Sequence, residues 1–303
     1  IGSQLSQVLD ELENVTKGKL SPQEKTDLKL NIIGKIPEIL LDNTDKNRTS
    51  PFAFTGNKFE FRAVGSWTNC AKPMTVLNTI VAKQLKELKK DEAIFNVLRE
   101  YIKESKKIRF EGDGYSESWV KEAKNRGLSN HKTTPEALKV KISKKTIDLF
   151  EEMEVMNKIE LEARFEIDIE EYTKRLQIES RVLGDIARNH IIPTAIIYQN
   201  TLLENTKNLK EIFGEEYKNI AKEQIELIMI ISNHITEINS LSVKMIDERK
   251  KANKHAALKS AEMYCNNVKP FFEQIRYHCD KLETMVDDNL WPLTKYRELL
   301  FTR

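Results

Sequence analysis

Glycine and proline are both scarce, 10 and 8 among 303 residues, and low-complexity tracts are few. With 40% hydrophobic and 32% charged residues besides, disorder is not the default, and a soluble, helix-rich globular protein is expected. The length allows two domains and a substantial core. Cysteine is scarcer still: Cys70, Cys265 and Cys279 form neither an even set nor a metal-ligand spacing. That pattern argues against a disulfide framework and suits a reducing cytoplasm, with each thiol expected as a small buried hydrophobe. His131, His190, His234, His255 and His278 are scattered without the i, i+4 pairing of a zinc helix, so no metal is assigned to them.

Charge of one sign is not in excess either. Forty-nine basic residues against 47 acidic ones leave +2, which provides no global field to recruit nucleic acid or an anionic membrane. The lysine pairs at 89–90, 106–107 and 250–251 are interleaved with acids and read as solvated helix faces. RNA binding is disfavoured, because no basic, aromatic-studded face is evident. The longest apolar run, near Ile225 to Ile231, is interrupted by Glu226 and falls far short of the roughly 20 residues a membrane span needs. The first residues, IGSQLSQVLDELENV, lack the basic, apolar and small-residue succession of a secretory signal.

What is present concentrates in NRTSPFAFTGNKFEFR, from Asn47 to Arg62. Lys58, Phe59, Glu60, Phe61 and Arg62 alternate charged and aromatic side chains. A strand here puts the two phenylalanines on one face, expected to be buried, and the three charges on the other. Two explanations stay open. One is an ordinary surface ladder of weak ion pairs. The other is a site in which Glu60 holds a metal while Arg48 and Arg62 hold anions, since carboxylate oxygen suits a hard cation and guanidinium forks suit carboxylate or phosphate.

Around this motif the chain reads as helices. Ser21-Pro22-Gln23-Glu24 has the form of a capping box with proline at the first helical position, and Asp42 to Asn47 reads as a loop. Pro73 is expected to open a helix to about Leu88, with Val76, Leu77, Ile80, Val81, Gln84 and Leu85 as its stripe. Tyr115 and Val120 flank Ser116 as a staple around an N-cap, and Gly127 sits where a helix end favours a left-handed residue. Gly112-Asp113-Gly114 lacks a following Gly-Lys-Ser/Thr and reads as a turn rather than a phosphate loop. Thr134 and Pro135 start a further helix. From about Ile147 onward there are almost no turn residues except around Pro193, Gly214 and Pro270, and apolar residues recur at three and four, the pattern of a helical bundle. Phe150, Met153, Ile159, Leu161, Phe165, Ile169, Tyr172, Leu176 and Ile178 are expected to line it. The run from Lys222 to Lys251 approaches heptad spacing and could pair within the chain or with another subunit.

The Asn47–Arg62 motif resembles the strand that closes the active site of type III glutamine synthetases, and its continuation AVGSWTNCAKPMTVLNTIVAKQL resembles the same family. GDGYSESWVKEAKNRGL (Gly112 to Leu128), TTPEALK (Thr133 to Lys139), LEARFEIDIEEYTKRLQIE (Leu161 to Glu179), IIPTAIIYQN (Ile191 to Asn200) and DNLWPLTKYRELLF (Asp288 to Phe301) are similar to it as well, in family order. Thr201 to Ala261 is the least distinctive span.

The resemblance implies an α+β, predominantly helical chain. Residues 1–147 would be the end of a glutamine synthetase catalytic α/β domain, and 148–303 a helical carboxy-terminal bundle. It implies ATP-dependent joining of glutamate and ammonium through a γ-glutamyl phosphate, with Mg²⁺ or Mn²⁺ as cofactor beside ATP. By the same resemblance Glu60 is a metal ligand, Arg62 a contact for bound glutamate, Arg48 a clamp on the nucleotide phosphates, and Lys58 an aid to nucleotide binding. Two positions depart from the more widespread pattern: Ala53 stands where a second arginine follows Arg48 by five, and Trp67 where a small residue is expected. The family's further metal-binding glutamates, its metal-binding histidine and its ammonium-handling acid find no match in Ile1 to Lys46. The chain is therefore expected to be a carboxy-terminal part of a longer enzyme, inactive alone. The full-length protein would be a cytoplasmic homo-oligomer of stacked rings. The competing hypothesis is a helical assembly or scaffold protein that keeps the strand as a relic.

Overall fold

A computed structural model describes Ser6, Leu9, Asp10, Leu12, Glu13 and residues 52–54, 58–63, 65, 68–88, 94–110 and 113–301. The helix expected at Ser21 and the loop from Asp42 to Asn47 lie outside the described residues. The chain divides into two compact units, Ile1–Asn130 with Asp148–Met156, and His131–Ile147 with Asn157–Arg303. It is predominantly helical, with one pair of short strands among the described residues.

In the first unit, β1 (Phe52–Phe54) and β2 (Phe59–Phe61) pair antiparallel, with Phe52 opposite Phe61, Ala53 opposite Glu60 and Phe54 opposite Phe59. The expected buried aromatic face is only partly realised. Phe59 is 57% exposed, and its ring stacks on Phe52 across the pair at 4.7 Å between centroids. Helix α1 (Ala71–Glu87) begins two residues before Pro73, the Asn69 side chain accepting from the Ala71 N–H at 2.7 Å. Its expected stripe is open: Val76, Ile80 and Leu85 are exposed, while Thr79 is buried on the adjoining face and donates to the Thr75 carbonyl. Helix α2 (Ile94–Glu104) buries Val97 and Ile102. Arg99 donates to the Glu13 carbonyl at 2.6 Å, and Lys106 pairs with Glu13 at 3.0 Å.

Helix α3 (Glu117–Asn125) starts as expected at Ser116, whose hydroxyl accepts from the Trp119 N–H, although Tyr115 and Val120 are themselves exposed. It ends on Gly127 at φ 76°, where the Leu128 N–H reaches the Ala123 carbonyl and the Gly127 N–H the Lys124 carbonyl, the Schellman pattern.

The second unit opens with α4 (Thr134–Lys139), Pro135 in its first turn as expected. Helix α5 (Lys144–Glu152) starts in this unit, runs into the first and buries Phe150. It closes with the same bonding as α3, Glu154 at φ 54° standing in the place glycine takes at 127. Next comes α6 (Lys158–Asp185), started by a reciprocal Asn157–Glu160 capping box. Its buried face runs through Leu161, Phe165, Asp168, Ile169, Leu176, Ser180 and Gly184. Ile159 and Ile178, expected to line the bundle, are 76% and 61% exposed. Each lies two residues from a buried leucine, about 200° round the helix, so apolar character alone did not place them inward.

The chain does not turn at Pro193 or Pro270. After α6 the helix widens into a π turn, Ile186–Ile191, and continues as α7 (Ile192–Phe213). Helix α8 (Lys222–Ala252) returns, and α9 (Ala257–Met263) passes through a second π turn, Tyr264–Val268, into α10 (Pro270–Glu283). In both turns an N–H reaches back five residues, Ile192 to Ala187 and Lys269 to Tyr264. Proline has no N–H to give and its ring collides with the carbonyl four residues back. The wider turn just ahead of each proline lets the helix continue. Gly214, at φ 58°, does end α7.

The bundle core gathers Ile231, Ile238, Met245, Tyr264, Ile275 and Leu282, each essentially inaccessible. Fully burying each aliphatic one contributes about 1.5–3 kcal/mol. Along α8, Ile231, His234, Ile238, Ser242, Met245 and Ala252 form the inward seam. Its partners are α10 and α7 of the same chain, so the heptad-like pattern is satisfied internally. Cys279 is buried as expected, and burial pushes its thiol up to about 12, whereas Cys70 is exposed on the approach to α1. No helix among the described residues is long and apolar enough to cross a membrane.

Candidate functional site

The charged face of β2 is a compact cluster. Alternation along the strand puts Lys58, Glu60 and Arg62 on one side, and the antiparallel pairing with β1 holds the backbone extended. Arg62 grips a single Glu60 oxygen, Oε2, through Nε at 3.3 Å and a terminal nitrogen at 2.9 Å. Lys58 Nζ stands 3.5 Å from Oε1. The hydrogen bond from Arg62, aided by its charge and that of Lys58, holds the Glu60 carboxyl below the usual carboxylate range against a smaller opposing effect of desolvation. Glu60 and Arg62 are each 36% exposed in their side chains, so the group is ionised and reachable from solvent. Arg48 lies outside the described residues.

Ala53, where the more widespread pattern would carry an arginine, pairs directly opposite Glu60 in the strand register. Chemically the cluster offers one hard-oxygen donor and a guanidinium. No group of three or more His, Cys, Asp or Glu side chains that could hold a metal exists among the described residues. The described residues therefore do not make a metal site on their own. Glu60 has the right donor chemistry for one ligand, and its oxygens are now taken by Arg62 and Lys58.

Two arrangements in the bundle escaped the sequence. His234 on α8 and His278 on α10, 44 positions apart, face each other with Nδ1 atoms 2.8 Å apart. One nitrogen must donate and the other accept, so the pair excludes a doubly protonated state in this geometry. Burial, and then the charges of His278 and Lys281, push the His234 imidazole below its ordinary range. In addition, Asp168 is buried on α6 and takes the Lys141 ammonium. Neither contact has a local signature, since both join residues distant in sequence.

The sequence has recognisable relatives. Residues 93–210 match the family described as Glutamine synthetase C-terminal domain. Over an alignment 318 positions long that covers all of this chain, it is 51% identical to a glutamine synthetase of Bacteroides fragilis, 44% of which is covered. It is 34% identical to the type-3 glutamine synthetase of Dictyostelium discoideum, again over the whole chain and 43% of that protein. A glutamine synthetase of Butyrivibrio fibrisolvens is 30% identical over 86% of the chain and 38% of its own length. The chain is thus a relative of the glutamine synthetases, type III among them, and it spans less than half the length of the relatives it matches.

Proposed function

We propose that these residues are the carboxy-terminal portion of an ATP-dependent glutamate–ammonia ligase, the observation that carries it being 51% identity to a glutamine synthetase along the whole chain. In this proposal Arg62 holds the carboxylate of bound glutamate, Arg48 clamps the nucleotide phosphates, Lys58 assists the nucleotide, and Glu60 provides one oxygen ligand to Mg²⁺ or Mn²⁺. A divalent cation would neutralise phosphate charge during transfer. The Arg62–Glu60 contact supports these roles in one respect: it keeps the carboxylate ionised and the guanidinium oriented before any substrate arrives.

The division at 147/148 between a catalytic-domain end and a helical domain is part of the same proposal. So are assembly as a homo-oligomer of stacked rings and a cytoplasmic location. The 303 residues would supply only part of the site and not turn over alone, and nucleic acid and membrane would not be partners.

The test is glutamate- and ammonium-dependent ADP release by the full-length protein, wild type against Glu60→Ala. Loss of turnover with an unchanged unfolding midpoint supports the role of Glu60. Unchanged turnover reduces the strand to a structural element and favours a scaffold that kept it.

A further inference from the structure

Where α6 runs into its π turn, three arginines line one groove of about 220 Å³: Arg181 on α6, Arg188 in the turn itself, and Arg249 from α8. Among the described residues no carboxylate lies within 4.0 Å of any of these guanidiniums. Asp185, the acid on the wall, is hydrogen bonded to the Asn189 side-chain amide instead. Gly184, buried on α6, also lines it, and a Cβ there would face the core residue Met245 at 3.5 Å.

The positive character is felt locally. Burial pushes the Tyr264 hydroxyl above its ordinary range, and the charges of Arg249 and Arg181 oppose that rise without cancelling it. Three guanidiniums against the one carboxylate of Asp185 leave the groove net positive, and an anion relieves the remaining repulsion, most effectively one that guanidinium forks can bind bidentately. Along the π turn lies a second space of about 500 Å³ whose lining shares Arg188 and Asn189 with the groove. Its walls change in character: Ile192 and Ile235 supply apolar surface, and Thr236, Asn239 and Ser240 supply neutral hydrogen-bonding groups. A charged end joined to a mixed apolar and amide-lined end suits a ligand with an anionic head and an uncharged body. The groove also lies against a π turn, a feature that occurs often at functional positions.

We infer that this groove is a binding site for a phosphate group carried by a small organic molecule, with the phosphate on Arg181, Arg188 and Arg249 and the body over Ile192 and Ile235. The site is independent of the Lys58–Arg62 cluster and of the ligase assignment.

Equilibrium binding to the complete protein tests it, with inorganic phosphate and phenyl phosphate as probes. Phenyl phosphate is expected to saturate one site per chain that weakens about tenfold or more in Arg188→Gln and in Arg249→Gln, and to lose affinity as salt rises. Inorganic phosphate is expected to occupy the same site less tightly. Ile235→Ala should weaken phenyl phosphate while sparing phosphate. Equal affinity for the two probes, unmoved by Ile235→Ala, would overturn the organic ligand and leave a site for free phosphate. Binding indifferent to both arginine changes, or no saturable binding, overturns the site altogether. Arginine-dependent binding of hexaglutamate in preference to either probe would overturn it in favour of docking an acidic protein segment. Unfolding midpoints accompany every variant. Arg188 is exposed, so its change keeps the test valid should Arg249→Gln, which is half-buried, fail to fold.

Discussion

The strand-bearing unit and the helical bundle differ in how they use apolar residues. In the bundle, Ile231, Ile238, Ile275 and Leu282 are fully enclosed, and the inward seam of α8 is met by other helices of the same chain. In the strand-bearing unit, Phe59 and the α1 residues Val76, Ile80 and Leu85 remain exposed. Yet the strand motif is where the chemistry was most legible, whereas all of α8 falls in the least distinctive stretch of sequence. Distinctive residues and enclosed residues are therefore different sets, and a core can be built from a commonplace helical pattern.

The contrast breaks most visibly on deleting buried volume. Ile238→Ala in the bundle should cost about 2–5 kcal/mol, and Ile80→Ala on the open face of α1 no more than about 0.5 kcal/mol, both read by urea unfolding. If the two cost the same, α1 is covered in solution and the contrast fails. The two Schellman ends sharpen it at smaller scale. Gly127→Ala should lose about 1 kcal/mol, while Glu154→Gly should gain a comparable amount, because only the second relieves a side chain held at positive φ.

A pH series probes the bundle alone. The folded His234 has a depressed pKa relative to its ordinary 6.5, so the unfolded chain takes up the proton first as pH falls. Stability should be fully present above about 6.5 and decline below it, over a window set by that depression. His234→Gln should flatten this slope in unfolding midpoints taken from pH 8 to pH 5, and an unchanged slope would assign the dependence to other groups. Tyr277 and Lys281 stand on the same helix as His278, and Glu237 and Glu273 share its groove, so Glu273→Gln is the control. The smallest expected change is Glu60→Gln, which should leave the unfolding midpoint where it is because the ion pairs are solvated. A measurable shift would mean the strand cluster is structural.

Local chemistry made much of this readable. The β2 strand, the Ser116 cap, the Gly127 terminus and the Pro135 start all arise from side chains acting within a few residues of themselves. Burial was harder: Ile159 and Ile178 have the right character and the wrong phase, since the buried side of a helix is chosen by its neighbours. Pro193 and Pro270 read as breaks because the rule that proline ends helices ignores a wider turn that accommodates it. His234 with His278, and Arg181 with Arg249, are products of packing α8 against its partners, and no spacing in the sequence encodes them. Of the candidate strand residues, alternation placed Lys58, Glu60 and Arg62 together correctly, while their roles rest on family resemblance.

The π turn between Asp185 and Ile192 has one more consequence, concerning tolerated kinds of change. From Leu161 to Leu202 the inward positions recur at slightly more than 3.6 residues, a drift the widened turn absorbs by holding one extra residue. Removing that residue would close the turn to an ordinary α-helical one and leave Ala195 and Leu202 in phase, while pressing Pro193 against the carbonyl four residues back; removing one elsewhere along α6 or α7 would rotate everything beyond it by about 100°. Along α6 and α7 the core therefore fixes the number of residues as well as their kind, and the π turn is the place where that number can change by one without turning the helix.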